Sequence, residues 1–103
     1  STLFPYTTLF RSRTGVVDVR GPLEFAQGHV PGAINIPYTG IPDARFAQSP
    51  KGTTFVVYGA GAHCNRAEKA AMMLASLEQP VKIMIGGITG WREEGFALDT
   101  GGA

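Results

Sequence analysis

The run Thr53-Thr54-Phe55-Val56-Val57-Tyr58 is built from β-branched and aromatic residues alone and stops at Gly59. Side chains of this kind suit a pleated, packed surface, and a run with no polar alternation is one buried on both faces. It predicts a central strand. Shortly downstream, from Asn65 to Glu78, Ala67, Ala70, Ala71, Leu74 and Leu77 return at spacings of three, one, three and three. That is the period of a helix with one apolar face, and Asn65 is placed to cap it. A covered strand followed at once by an amphipathic helix is the beginning of a βαβ unit.

The rest of the chain repeats the alternation. Gly15 to Arg20 reads as a short strand closed by the turn Gly21-Pro22, and Leu23 to Gln27 as one or two helical turns stopped by Gly28. Ala33 to Ile36 is a second short strand, entered through Pro31-Gly32 and ended by Pro37, which has no N–H to continue a ladder. Ile41 to Gln48 gives a weak helix between Pro42 and Pro50; Val81 to Ile85 gives a last strand; and Gly86-Gly87 turns into a short helix near Thr89 to Glu94. Strands separated by helices predict an α/β fold: a small three-layer domain with a mainly parallel sheet, covered on both faces and joined by right-handed crossovers.

A chain of 103 residues has room for one such core. With 44% hydrophobic residues, 17% charged residues and a net charge of +1, no excess of charge would recruit nucleic acid or anionic lipid. No apolar run reaches the roughly 18 residues of a spanning helix. The expected partners therefore exclude nucleic acid and membrane. Cys64 is the single cysteine, so no intrachain disulfide can form, and a reducing, cytoplasmic location is expected.

Three blocks in order resemble the rhodanese family. They are Asp18-Val19-Arg20 with Glu24-Phe25 and Gly28-His29-Val30-Pro31-Gly32-Ala33-Ile34-Asn35-Ile36-Pro37; the strand Phe55 to Tyr58 with its loop; and Gly86-Gly87-Ile88-Thr89-Gly90-Trp91 followed by Gly95. The resemblance covers Val16 to about Leu98. It implies a parallel five-stranded core with helices on both sides, and sulfurtransferase chemistry as the ancestral function. In active members a cysteine directly after the central strand takes sulfane sulfur from a donor such as thiosulfate, holds it as a persulfide and passes it to a thiophilic acceptor. The loop around it turns backbone N–H groups toward the sulfur beside the positive end of the next helix, which favours a thiolate or an anion.

This chain departs from that pattern where it matters most. The position after Tyr58 is Gly59, which has no side chain to act as nucleophile. Cys64, five positions on, stands beside the start of the predicted helix, where the dipole and a neighbouring His63 or Arg66 cation would favour its thiolate. Cys64 is thus a candidate displaced nucleophile; the alternative is a small buried residue packing helix on sheet. The candidate binding loop is Gly59, Ala60, Gly61, Ala62, His63, Asn65 and Arg66, with Arg66 either holding an anionic donor or simply solvated. A small sulfur-containing anion or a thiol acceptor is the expected partner, and no cofactor is implied. The competing reading is a catalytically inactive rhodanese-like module that binds or regulates a protein partner.

Other motifs carry less. His29 reads as the anchor of a turn, Asp18 and Arg20 with Glu24 nearby as a fixed carboxylate–guanidinium network, and Trp91 as packing for the last helix. His29, His63 and Cys64 match no usual zinc spacing. The Gly59-to-Cys64 loop mimics a dinucleotide-binding glycine loop only weakly, because Gly86-Gly87 stands where an acidic ribose contact belongs. A phosphatase would need arginine six positions after cysteine, where this chain has Ala70.

The domain is expected over residues 13–100, with 101–103 a frayed tail. Thr2 to Ser12 resembles the conceptual translation of a common short-read sequencing adapter, so residues 1–12 are expected to be foreign to the domain, although their Thr, Phe, Tyr and Leu would also suit a strand. The rhodanese resemblance places a first strand and helix in that position, and the domain is expected to lack them.

Overall fold

The computed structural model describes residues 13–102. The adapter-like segment, and with it the expectation about a first strand and helix, lies outside the described residues.

Thr53–Tyr58 forms β3, with the bounds the sequence predicts, and among the described residues it is an inner strand of a four-stranded sheet of order β2-β1-β3-β4. β1 is Arg13–Asp18, β2 Ile34–Asn35 and β4 Val81–Ile83. All three pairings are parallel, with Val17 opposite Ile34 on one side and Val57 on the other, and Val57 opposite Ile83. The helices are α1 Pro22–Gln27, α2 Ala44–Gln48, α3 Arg66–Ser76 and α4 Gly87–Glu93, with a short 3-10 turn at Tyr38–Gly40. Pro22 opens α1 at a position where its missing N–H costs nothing, and Asp43 caps α2 by accepting from the Arg45 N–H.

Two apolar layers enclose the sheet. On one side Val17, Val19, Phe55 and Val57 meet Phe46 of α2 and Ala67, Ala70 and Leu74 of α3. On the other, Val16 and Tyr58 meet Phe25 of α1 and Ile88 of α4. Burying one such aliphatic side chain contributes about 1.5–3 kcal/mol, so these layers fix where β3 ends and α3 begins. No helix among the described residues is long and apolar enough to cross a membrane.

Several boundaries differ from the sequence reading. β1 starts earlier and ends at Asp18, because Val19 and Arg20 leave the ladder to bond with Tyr58 and Asp18. β4 stops at Ile83, and Ile85 is 91% exposed instead of continuing the strand. Leu77, expected on the apolar face of α3, lies just past its end and is half exposed. Asn65 occupies the cap position of α3, but its side chain makes no capping hydrogen bond. At the other end of the chain, the Gly101 N–H donates to the Ala26 carbonyl at 2.7 Å.

Candidate functional site

The site begins with a buried polar network that pins the end of β3. Asp18 accepts from Arg20 Nε at 3.1 Å and Nη2 at 2.8 Å, and its Oδ2 also accepts from the Tyr58 hydroxyl at 2.7 Å. Arg20 Nη2 donates onward to the Gly28 carbonyl, and the Val30 N–H donates to the Tyr58 oxygen at 3.0 Å. Asp18 and Arg20 are buried, and they brace the strand end. Every partner here is satisfied, which is the condition for a buried charge pair to hold one geometry. Burial, and then the bond to Asp18, push the Tyr58 phenol well above its ordinary value. His29 is buried, stacks on Phe25 at 3.7 Å and shares a hydrogen bond with the Phe25 carbonyl through Nδ1, as a turn anchor does.

Directly after Tyr58 the chain curls into the loop. The Gly59 carbonyl accepts from the Ile88 N–H at 3.0 Å, and the Ala60 carbonyl accepts from both the Thr89 N–H at 3.0 Å and its hydroxyl at 2.8 Å. The first turn of α4 therefore clamps the loop by its oxygens. Gly87 makes this approach possible: its φ is +58°, and a Cβ there would stand 2.8 Å from the Gly61 nitrogen. With the carbonyls tied to α4, the backbone N–H groups of Ala60 and Arg66 are left to favour the thiolate of Cys64. The Cys64 N–H closes a turn onto the Gly61 carbonyl at 3.0 Å.

Cys64 is partly buried, and its Sγ lies 3.3 Å from the position a Cβ on Gly59 would take. Arg66 Nε donates to that sulfur at 3.1 Å, while Nη1 and Nη2 donate to the two carboxylate oxygens of Glu24 at 3.1 and 3.3 Å. Glu24 also accepts from the Gly21 N–H, which locks it at the start of α1. Burial alone would push the Cys64 thiol up, but the Arg66 hydrogen bond and the two backbone donors outweigh it and hold the thiol below its ordinary value. The Arg66 bonds hold the Glu24 carboxyl below its usual range, against a smaller opposing effect of burial.

Gly59, Ala60, Gly61, Ala62, His63, Asn65 and Arg66 thus do not form one ring of ligands. Ala60, Gly61, Ala62 and His63 line an open cleft of about 510 Å³ beside Cys64, completed by Gly86, Thr89, Gly90 and Glu93. A smaller cavity of about 90 Å³, which also borders Cys64, is bounded by Gly59, Ala67, Glu68, Ile83 and Ile85. Arg66 keeps about a quarter of its side chain exposed, and its guanidinium nitrogens are engaged by Cys64 and Glu24. The group that supports the thiolate is Arg66 and not His63, which makes no hydrogen bond to the sulfur among the described residues. Asn65 is exposed and lines neither cavity. Glu24, expected beside the Asp18–Arg20 network, pairs instead with Arg66; Gly87 reads in the sequence only as part of a turn, and Glu93 is not singled out there.

The comparisons with known proteins agree with this architecture. The family described as "Rhodanese-like domain" matches residues 7–94. The chain is similar to the HTH-type transcriptional regulator Rv0324 of Mycobacterium tuberculosis, 37% identical over 86 residues that make up 84% of this chain and 38% of that protein. A shorter stretch of 32 residues is 56% identical to the tRNA 2-selenouridine synthase of Cupriavidus necator, covering 31% of this chain and 9% of the synthase. The chain thus spans well under half of either relative. The crystal structure of the BH2092 protein from Bacillus halodurans superposes with a TM-score of 0.81 at 31% identity, over 97% of this chain and 75% of that one. By sequence blocks, sheet order and these likenesses together, the chain belongs to the rhodanese-like domain family.

Proposed function

We propose that this rhodanese-like domain transfers sulfane sulfur through a persulfide on Cys64. One observation carries the reading: Cys64 Sγ reaches back over the loop to within 3.3 Å of where a Gly59 Cβ would stand, so a thiol occupies the neighbourhood the family assigns to its nucleophile. Arg66 and two backbone N–H groups favour its thiolate, and the thiolate is the reactive form. In the first half-reaction the thiolate attacks the sulfane sulfur of thiosulfate; the S–S bond to the sulfonate half breaks, and sulfite leaves with the bonding pair. In the second, an acceptor thiol or cyanide attacks the outer sulfur and the Cys64 thiolate is regenerated. No external oxidant or cofactor is required. The stretch shared with a tRNA 2-selenouridine synthase supports a chalcogen-handling role. A persistent free thiol fits a cytoplasmic setting.

The test is intact mass after incubation with excess thiosulfate or methanethiosulfonate. The parent is expected to gain one sulfur atom and to lose it to cyanide as thiocyanate, and Cys64→Ser to gain none. No gain with either donor, in protein shown to be folded, would establish the second reading, which Gly59 favours: a non-catalytic rhodanese-like module that binds a small anion or a protein partner.

A further inference from the structure

All three nitrogens of the Arg66 guanidinium are committed, Nε to Cys64 and the terminal pair to Glu24, so its charge is matched by a carboxylate before any donor arrives. Among the described residues, the two cavities at the sulfur are lined by no lysine or arginine; His63 and Glu93 border the wide cleft and Glu68 the narrow one. Ile83 and Ile85 close the narrow side, and Ile85 is almost wholly exposed. Among the described residues, a thiosulfate dianion entering either cavity would face carboxylates and no unpaired lysine or arginine.

Resting on Cys64 as nucleophile, we infer that Glu24, by occupying both terminal nitrogens of Arg66, makes this site select sulfane-sulfur donors of low negative charge over dianionic ones. Organic thiosulfonates and persulfides are the favoured class, with their organic half against Ile83 and Ile85. Glu24 touches no substrate; it is a positioning residue that sets specificity through Arg66. The chemical step is the same for both kinds of donor. With methanethiosulfonate the Cys64 thiolate bonds to the sulfane sulfur, the bond to the sulfonyl sulfur breaks, and methanesulfinate leaves with the electron pair. With thiosulfate the leaving group is sulfite.

The experiment compares loading rates with thiosulfate and with methanethiosulfonate, by intact mass, in the parent, Glu24→Gln and Glu24→Asp. Both donors react with the same thiolate, so their rate ratio cancels any change in thiol ionisation. Glutamine still accepts from the Gly21 N–H but leaves the guanidinium charge uncompensated. The thiosulfate-to-methanethiosulfonate ratio is expected to rise about two- to fivefold in Glu24→Gln, as for a partly exposed ion pair, and to stay near the parent value in Glu24→Asp. Added salt is expected to shrink the difference. If Glu24→Gln does not fold, the parent decides alone: its ratio is expected to lie below that of N-acetylcysteinamide, a neutral free thiol. Unchanged ratios with normal loading would overturn the inference and leave Cys64 as nucleophile. Failure of the parent to load from either donor would remove the Cys64 reading itself, and the inference with it.

Discussion

Gly59 and Cys64 are five residues apart in sequence, yet the sulfur of the second stands 3.3 Å from the missing Cβ of the first. The loop between them produces this closeness. Its first two carbonyls are tied to α4, and Cys64 closes a turn onto Gly61, so the chain doubles back over the end of β3. Gly59 is itself buried, so a side chain there would point at the sulfur and not into solvent. A side chain at position 59 and the thiol of Cys64 would therefore meet at the same end of β3.

Gly59→Cys should therefore create a thiol pair. The Cys64 sulfur already stands 3.3 Å from the position of the new Cβ, close to the separation across a disulfide between one Cβ and the other sulfur. Mild oxidation of the variant is expected to lower its mass by two hydrogens, with no thiol left to alkylate and full recovery on reduction. Two alkylatable thiols after oxidation would show that the loop holds the positions apart.

Arg66→Met removes the cation over the sulfur while keeping much of the side-chain bulk. With that donor gone, burial pushes the thiol upward unopposed by the guanidinium, so less thiolate is present at neutral pH. Alkylation by iodoacetamide at pH 7 is expected to slow about two- to fivefold, in line with a partly exposed interaction. The parent and variant rates should converge at a pH where both thiols are fully ionised. Equal rates at pH 7 would mean that the backbone donors alone sustain the thiolate.

Much of the scaffold was legible in the sequence because the signals were strong and local. The unbroken β-branched run Thr53–Tyr58 and the spaced alanines with Leu74 gave β3 and α3 directly, and Gly21-Pro22 and Gly28 marked both ends of α1. The site was legible only in part. Cys64 and its loop follow β3 in sequence, but the partner of Arg66 is Glu24, 42 residues earlier on another helix. No spacing rule pairs them, since only the three-layer packing brings the start of α1 to the start of α3. Ile85 misled for the opposite reason: its residue type suits a strand, and its exposure depends on where β4 loses its neighbour.

Tyr58→Phe tests the brace beneath the loop. The variant strands the Val30 N–H and removes one donor from Asp18 Oδ2, both buried, at a cost of about 1–3 kcal/mol. The same hydroxyl gives an alkaline signature. Its folded-state value is raised, so the folded protein favours the neutral phenol; that stabilisation is whole below the ordinary tyrosine value of about 10 and is lost as pH climbs above it. Urea midpoints of the parent should fall above pH ~10, and those of Tyr58→Phe should fall less. Parallel decline would assign the alkaline loss to other groups.

Gly87→Ala tests the clamp from the other side. Gly87 sits at a φ of +58°, and its added Cβ would press on the backbone of Gly59, Ala60 and Gly61, which cannot yield as a flexible side chain could. Left-handed strain and overpacking together should cost about 2–4 kcal/mol. The backbone contact makes a local consequence as telling as the global one. Relief requires the loop to move off α4, which loosens the Ile88 and Thr89 bonds and turns the Ala60 amide away from Cys64. The variant is expected to melt lower than the parent and, at a temperature where it remains folded, to alkylate Cys64 more slowly at pH 7. Lower stability with unchanged alkylation would show that the loop keeps its shape without the clamp, and that Arg66 carries the activation of the thiol.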